Sequence, residues 1–390
     1  MADPPELAPG LRSHLSVKWS ACPSDVLPAW VAEMDYALAE PVRAAVRRVA
    51  DASDLGYTPR EGDSGVEQAA AAWYASAFGW TVDPERVVLL PDVMRGIELA
   101  IEMWTGPGEG VVVMTPAYPP FLEAVAWSGR RLVDVPLRRH PSWEPDLDGI
   151  EAALREGARL VVLCNPHNPT GRVFGAETVR AVGRLAVQYG ALLVADEVHA
   201  PLVLDDVPHV PVASLSDEIA AHTLTLSSVS KGWNTPGLCC AFGIAGSAEM
   251  RQRFRALPSR ATVGVSIPGI AATVAALTEG GPWLDGVLAQ IADNRHLLAT
   301  LLAERVPHAQ ARPPQATYLA WVDLRPYVER GSLPREERPA DVVRQRGGLW
   351  LAAGEDFGPV GAGHVRLNFA TSPEMLDEIV DRLARGVGAR

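Results

Sequence analysis

Only two of the 390 residues are lysines, Lys18 and Lys231. A lysine amine can form and exchange a Schiff base with a carbonyl, which an arginine cannot do. Lys231 follows Ser227-Ser228-Val229-Ser230, at the end of the apolar run TLTL at 223–226. Similar polar punctuation follows other apolar runs. VVLL at 87–90 runs into PDVMRG, VVVM at 111–114 into TPAYPPF, LVVLC at 160–164 into NPHNPTG, and ALLVA into Asp196-Glu197 with His199 close by. In open α/β sheets, ligands bind beyond the carboxyl ends of the strands, so these groups are expected to meet in one crevice. They offer an amine, a carboxylate, an amide, an aromatic ring and the anion-binding start of a helix. That set suits pyridoxal 5′-phosphate. The amine meets its aldehyde, the carboxylate its pyridine nitrogen and the amide its phenolic oxygen. The aromatic ring stacks, and the helix start with a serine holds the phosphate.

The elements that must position these groups show in the hydrophobic pattern. Short continuous apolar runs, with AFGI at 241–244 among them, alternate with amphipathic stretches such as 176–189. That alternation predicts a mostly parallel α/β sheet covered on both faces. Residues 41–53 begin with a proline and read as a helix. Beyond a GGPW break, 285–305 and 373–385 read as helices, and TYLAWVDL (317–324) and HVRLNFA (364–370) as strands. The expected organisation is a large cofactor domain over 41–285 and a smaller α+β domain built from 1–40 and 286–390. The stretch 325–341, rich in Pro, Arg and Glu, is expected to be a surface excursion.

Composition removes several classes of function. The formal net charge is −12, and no Lys/Arg-rich run offers the basic stripe that nucleic acid or an anionic membrane requires. No apolar run approaches the roughly 20 residues of a membrane span. MADPPELAPG lacks the basic and apolar regions of a secretory leader. Four cysteines without CxxC spacing read as buried thiols of a cytoplasmic protein, with Cys239-Cys240 as strand packing. No histidine or cysteine spacing suggests a metal.

The motifs VKWS, DVLPAWVAEMDY, LGYTP, TPAYPPF, CNPHNPTGRVF, ADEVHAPLV, SSVSKGWNTPGL, ATYLAWVDL and VRLNFA run through nearly the whole chain. On them the sequence resembles the fold-type I, class I/II aminotransferase-like pyridoxal phosphate enzymes. It is similar to the MalY/PatB cystathionine β-lyase family in particular. The resemblance implies a large domain with a mostly parallel seven-stranded sheet plus a smaller α+β domain. It implies Lys231 as the Schiff-base lysine and Cα base, Asp196 at the pyridine nitrogen, Asn168 at the phenolic oxygen and Tyr118 stacked on the ring. Ser228 and the backbone N–H groups of Val93 and Met94 would hold the phosphate, with His199 near the same edge of the ring. Arg366 would clamp the substrate α-carboxylate. Tyr57 would reach the phosphate of a neighbouring subunit, implying a homodimer with shared sites and a small amino-acid substrate.

The chain departs from the family pattern at Asp92, where relatives usually carry Gly or Ser, and near Arg95, where Pro is common. Asp92 either caps the helix or faces the phosphate with Arg95 offsetting it. Cys239 stands where many aminotransferases place a phosphate-binding arginine, which favours the lyase branch. Trp233, where many relatives have Phe, reads as packing. His199 reads equally as a packed histidine, Arg366 also as a salt-bridge residue in a strand, and Lys18 as structural or solvated. The expected activity is a C–S β-lyase on cystathionine or another cysteine S-conjugate. The alternatives are an aminotransferase, or oxidative or decarboxylative tailoring of a cysteine conjugate. Ser228 to Lys231 also satisfies SxxK, a penicillin-binding motif, but no KTG partner exists in the sequence.

Overall fold

The computed structural model describes residues 5–389 except 60, 61, 141 and 206. The stretch read as free of a leader includes residues 1–4, outside the described ones. Seven strands form the central sheet, in the order Val87–Leu90, Ala241–Ala245, Thr223–Ser227, Leu192–Asp196, Ala158–Cys164, Gly110–Val113 and Arg131–Asp134. All pairings are parallel except those of Ala241–Ala245, which runs against both neighbours.

Side chains alternate across the sheet, and each face buries its own layer. Val111 and Val113 pack in the layer of Ile97 and Phe121, while Val112 packs in that of Ile150 and Val179. Helices Val93–Trp104 and Pro119–Trp127 cover the first face, and Leu147–Arg155 and Ala176–Tyr189 the second. Parallel pairing brings the carboxyl ends of the central strands to one edge. The register sets Asp196 beside both Cys164 and Leu226.

A four-stranded antiparallel sheet follows, in the order Ala352–Ala353, His364–Asn368, Leu319–Asp323 and Gln310–Ala311. Helices Gly281–Arg305 and Pro373–Val387 pack on it through Ile291, Leu298, Leu376 and Val380. Two short helices, Arg325–Glu329 and Pro339–Gly347, bracket the stretch expected to be a surface excursion. Residues 329–331 and 335–337 are exposed, while Tyr327, Leu333 and Ala340 are buried as apolar anchors that pin the stretch down. The cysteine reading needs correcting. Cys164 and Cys240 are buried, but Cys239 is exposed in a left-handed turn at φ 49°, just outside the strand. No described helix is long and apolar enough to cross a membrane.

The N-terminal segment from Ala29 to Tyr36 crosses between the two sheets as a strap held by its backbone. Arg366 donates to the Trp30 carbonyl at 2.8 Å, and Asn368 Nδ2 to those of Val31 and Glu33 at 2.7 and 2.6 Å. Lys231 and Tyr318 both donate to the Ala32 carbonyl, at 2.9 and 3.0 Å. Asn234 pairs with both polar groups of the Met34 backbone at 2.9 Å. Lys18 is buried, with its amine on the Glu33 carbonyl at 3.0 Å and on Asp35 at 2.7 Å. Of the two readings open for Lys18, the structural one holds.

Asn368 spends its whole amide here, since its Oδ1 also accepts from the Ala370 N–H at 2.8 Å. Asn368→Ala is therefore expected to cost on the order of 2–4 kcal/mol by leaving buried carbonyls short of donors. Urea unfolding should show a lower midpoint at unchanged slope. An unaltered midpoint would mean that the strap is not held this way.

Candidate active site

Lys231 sits in the short helix Val229–Gly232, directly after the strand Thr223–Ser227. Ser228 caps that helix, accepting from the Ser230 N–H at 3.1 Å and donating to the Cys240 carbonyl at 2.8 Å. The loop after Ala158–Cys164 is fixed by its own side chains. Asn165 bonds both backbone groups of Phe174, at 2.8 and 3.2 Å, and His167 Nδ1 meets Thr170 Oγ1 at 2.8 Å. Gly171 closes the loop at φ 67°, where a Cβ would lie 2.3 Å from Pro314 Cβ. This geometry presents Asn168. Its Oδ1 accepts from Arg366 Nη1 at 3.0 Å. Arginine can only donate, so Asn168 Nδ2 is left for another acceptor.

The helix Val93–Trp104 brings its first N–H groups to the same place. It approaches the sheet closely at Gly96, where a Cβ would lie 2.6 Å from Leu226 Cδ2. Asp92 caps it, accepting from the Arg95 N–H at 2.7 Å. The Arg95 side chain turns away, to the Ala261 carbonyl at 2.9 Å and Glu98 at 3.0 Å. The suggestion that its guanidinium offsets Asp92 is therefore corrected. The backbone N–H engages the carboxylate, and the side chain finds partners at Glu98 on its own helix and at Ala261 outside it.

These elements enclose a cavity of about 350 Å³. Val93, Met94, Tyr118, Asn168, Asp196, His199, Ser228 and Lys231 all line it, together with Ala32, Cys164, Thr235 and Cys240. Arg366 stands behind Asn168 as a buried residue that does not itself line the cavity. Tyr57 is fully exposed and does not line it either. The loop around Ala32–Tyr36 is expected to bear on pocket specificity, but Ala32's contribution is a backbone carbonyl, which no residue type advertises. Trp233 is buried and donates to the Gly280 carbonyl at 3.0 Å, in keeping with packing.

Burial dominates the electrostatics. Desolvation, with help from Arg366, brings the Lys231 amine down to about 8, against the pull of Asp196 and Glu33. The same effect lifts the Asp196 carboxyl to about 6, although the Val198 N–H and Lys231 stabilise its anion. Burial drives His199 down to about 3, so its imidazole is neutral, and its Nδ1 has no partner. Arg366 is lowered to about 10 by burial, and its Nε is likewise unpartnered. A buried carboxylate short of a cation, an unpartnered imidazole nitrogen, a free amide N–H₂, a partly neutral amine and a helix start fit pyridoxal phosphate. Asp196 would face its pyridine nitrogen and Lys231 its aldehyde.

The profile of the family described as aminotransferase class I and II matches residues 29–383. A protein of Corynebacterium glutamicum named cystathionine beta-lyase is 36% identical over 374 residues, covering 96% of this chain and 97% of its own. Cystathionine beta-lyase PatB of Bacillus subtilis is 32% identical, covering 94% and 95%. The crystal structure of a PLP-bound C-S lyase from Staphylococcus hominis superposes with a TM-score of 0.88 at 26% identity, covering 96% of each chain.

The lysine shift has a consequence for the cofactor-free protein. Between about 8 and 10.5 the folded chain binds fewer protons at this amine than the unfolded chain. Stability therefore rises with pH across that window, and the full penalty is present below it. Lys231→Met should stabilise the cofactor-free protein by about 3 kcal/mol at pH 7. Denaturant melts at a series of pH values should show the advantage shrinking as pH rises past 8. A pH-independent difference would contradict the shift.

Proposed function

The chain belongs to the class I and II aminotransferase family, and on that premise we propose that it is a pyridoxal 5′-phosphate-dependent C–S β-lyase. Its substrate is cystathionine or another cysteine S-conjugate, and its products are a thiol, pyruvate and ammonia. The observation that carries this reading is the buried Lys231 amine, set near 8 in a cavity shared with Asp196 and Asn168. Relatives named cystathionine beta-lyase, aligned over nearly the whole chain, support it.

The bound cofactor supplies an electron sink for the charge left at the substrate Cα. The remaining work falls to side chains. Lys231 would hold the cofactor through its amine and, freed when the substrate amine takes that place, would accept the Cα proton. A group near 8 is neutral in roughly a fifth of molecules near pH 7.4, far more than an ordinary lysine, and is still basic enough for that task. Burial raises Asp196 to about 6 despite Lys231, so a protonated pyridine nitrogen beside it would relieve that burial. Asn168 offers Nδ2 to the phenolic oxygen, and neutral His199 offers its unpartnered Nδ1 nearby. Tyr118 packs against the ring. The N–H groups of Val93 and Met94 would hold the phosphate, joined by the Ser228 hydroxyl once it turns from the Cys240 carbonyl. Arg366, whose Nε is unpartnered behind Asn168, would turn its guanidinium to the substrate carboxylate by giving up Asn168 or the Trp30 carbonyl. Once Lys231 has taken the proton, the pair left at Cα would form a Cα–Cβ double bond as the Cβ–S pair leaves with sulfur as the thiolate, and one water would convert the remaining fragment to pyruvate and ammonia.

Tyr57 stands fully exposed beside exposed Leu55, which supports a homodimer in which it reaches the partner's phosphate site. The four unpaired thiols support a cytoplasmic enzyme.

The test supplies pyridoxal phosphate and cystathionine to the purified protein. Thiol, pyruvate and ammonia should form in equal amounts, and Lys231→Ala should lower the rate by at least about a thousandfold. A keto acid that retains the sulfur, formed with amination of the cofactor, would replace the lyase reading with transamination.

A further inference from the structure

Tyr318 stands where three parts of the fold meet. The residue before it, Thr317, holds φ 71°, a left-handed value that a β-branched residue rarely adopts. The Thr317 N–H donates to the Leu202 carbonyl at 2.9 Å, in the turn that follows His199, and its hydroxyl accepts from the Leu319 N–H at 3.1 Å. The strand Leu319–Asp323 begins directly after it, and the Tyr318 ring meets His199 edge-on at 6.4 Å. Tyr318 is fully buried and does not line the Lys231 cavity. Its hydroxyl instead donates to the Ala32 carbonyl of the strap, at 3.0 Å.

A carbonyl oxygen has two lone pairs and can only accept. Lys231 Nζ takes one at 2.9 Å and the Tyr318 hydroxyl takes the other, so the phenol proton is committed to Ala32. The carbonyl is not free to swing away from either donor. Its neighbours Trp30, Val31, Glu33 and Met34 are all bonded through their backbone, to Arg366, Asn368 and Asn234. Two donors on one oxygen weaken each other, because each draws on the same electron density. A carbonyl facing an amine favours the ammonium over the neutral form. The second donor therefore limits how far Ala32 can favour a charged Lys231.

We propose that Tyr318 is a positioning residue for the base: it fixes the Ala32 carbonyl against Lys231 and, by sharing that oxygen, leaves the amine free to accept a proton. The proposal rests on the reading of Lys231 as the Cα base. The other groups that face the amine keep their places when the Tyr318 hydroxyl alone is removed. Asp196 from the seven-stranded sheet and Glu33 from the strap favour its charge, and Arg366 from the four-stranded sheet opposes it. His199, Tyr118, Cys164 and Cys240 share the cavity uncharged, since burial lowers the imidazole and raises the phenol and the thiols. Asp92 also lines it, with its carboxylate on the Arg95 N–H.

The test is the titration of Lys231 in cofactor-free Tyr318→Phe, followed through the resonance of its labelled ε-carbon. The variant loses one hydroxyl and keeps the buried ring. The Lys231 midpoint should rise by about half a pH unit or more, once one competing hydrogen bond is gone. Fluorotyrosine incorporated at position 318 alone, a stronger donor of nearly the same shape, should lower the midpoint, and it decides alone if the phenylalanine variant does not fold. A midpoint that stays or falls in Tyr318→Phe, or that stays or rises with the fluorinated ring, would overturn the proposal. With pyridoxal phosphate and cystathionine, Tyr318→Phe should lose about threefold in kcat near pH 7 and recover above about pH 9. A loss equal at every pH would reduce Tyr318 to a support of the fold and overturn the proposal as well. The titrations need neither cofactor nor substrate, so they stand or fall separately from the lyase reading, which the cystathionine assay tests.

Discussion

The carbonyl of Ala32 is the point on which the site turns. It accepts the Lys231 amine and the Tyr318 hydroxyl together, one from the seven-stranded sheet's edge and one from the segment entering the four-stranded sheet. Around it, Arg366, Asn368, Asn234 and Lys18 bind neighbouring backbone groups of the same strap. A backbone segment buried between two sheets must satisfy its polar groups there, and side chains from both sides do so. The strap covers Lys231, and that burial takes its amine away from the exposed-lysine range. Both lysines of the chain are drawn into this one arrangement.

Much of the site was legible because the sheet is mostly parallel. The ends of apolar runs fall at one edge, so residues 30 or more positions apart in the sequence meet without any local signal linking them. Eight of the residues singled out line one cavity for that reason. Of the two readings of Asp92 the helix cap held and the Arg95 offset did not, because a one-letter sequence cannot say whether a residue acts through its side chain or its backbone. Asp92 took the backbone N–H, as N-caps do. Arg366 was placed near the site, but its position behind Asn168 follows from the register of His364–Asn368 with Leu319–Asp323, which no spacing encodes.

The fold was legible in its buried strands and obscure at its margins. The strand Arg131–Asp134 completes the seven, yet it reads RLVD and is largely exposed at the sheet edge. An edge strand buries too little to leave an apolar run. The stretch 325–341 hides its anchoring for the opposite reason. Its prolines and charges mask the few apolar anchors, Tyr327, Leu333 and Ala340, that tie it to the core. Composition averages over a window, while anchoring depends on individual positions.

With only two lysines, the central claim can be observed directly. Cofactor-free protein labelled at the lysine ε-carbon gives two resonances, and Lys231→Met identifies which one belongs to Lys231. That resonance should titrate with a midpoint near 8. A midpoint at 10.5, the ordinary value, would contradict the account of a buried amine tuned to act as a base.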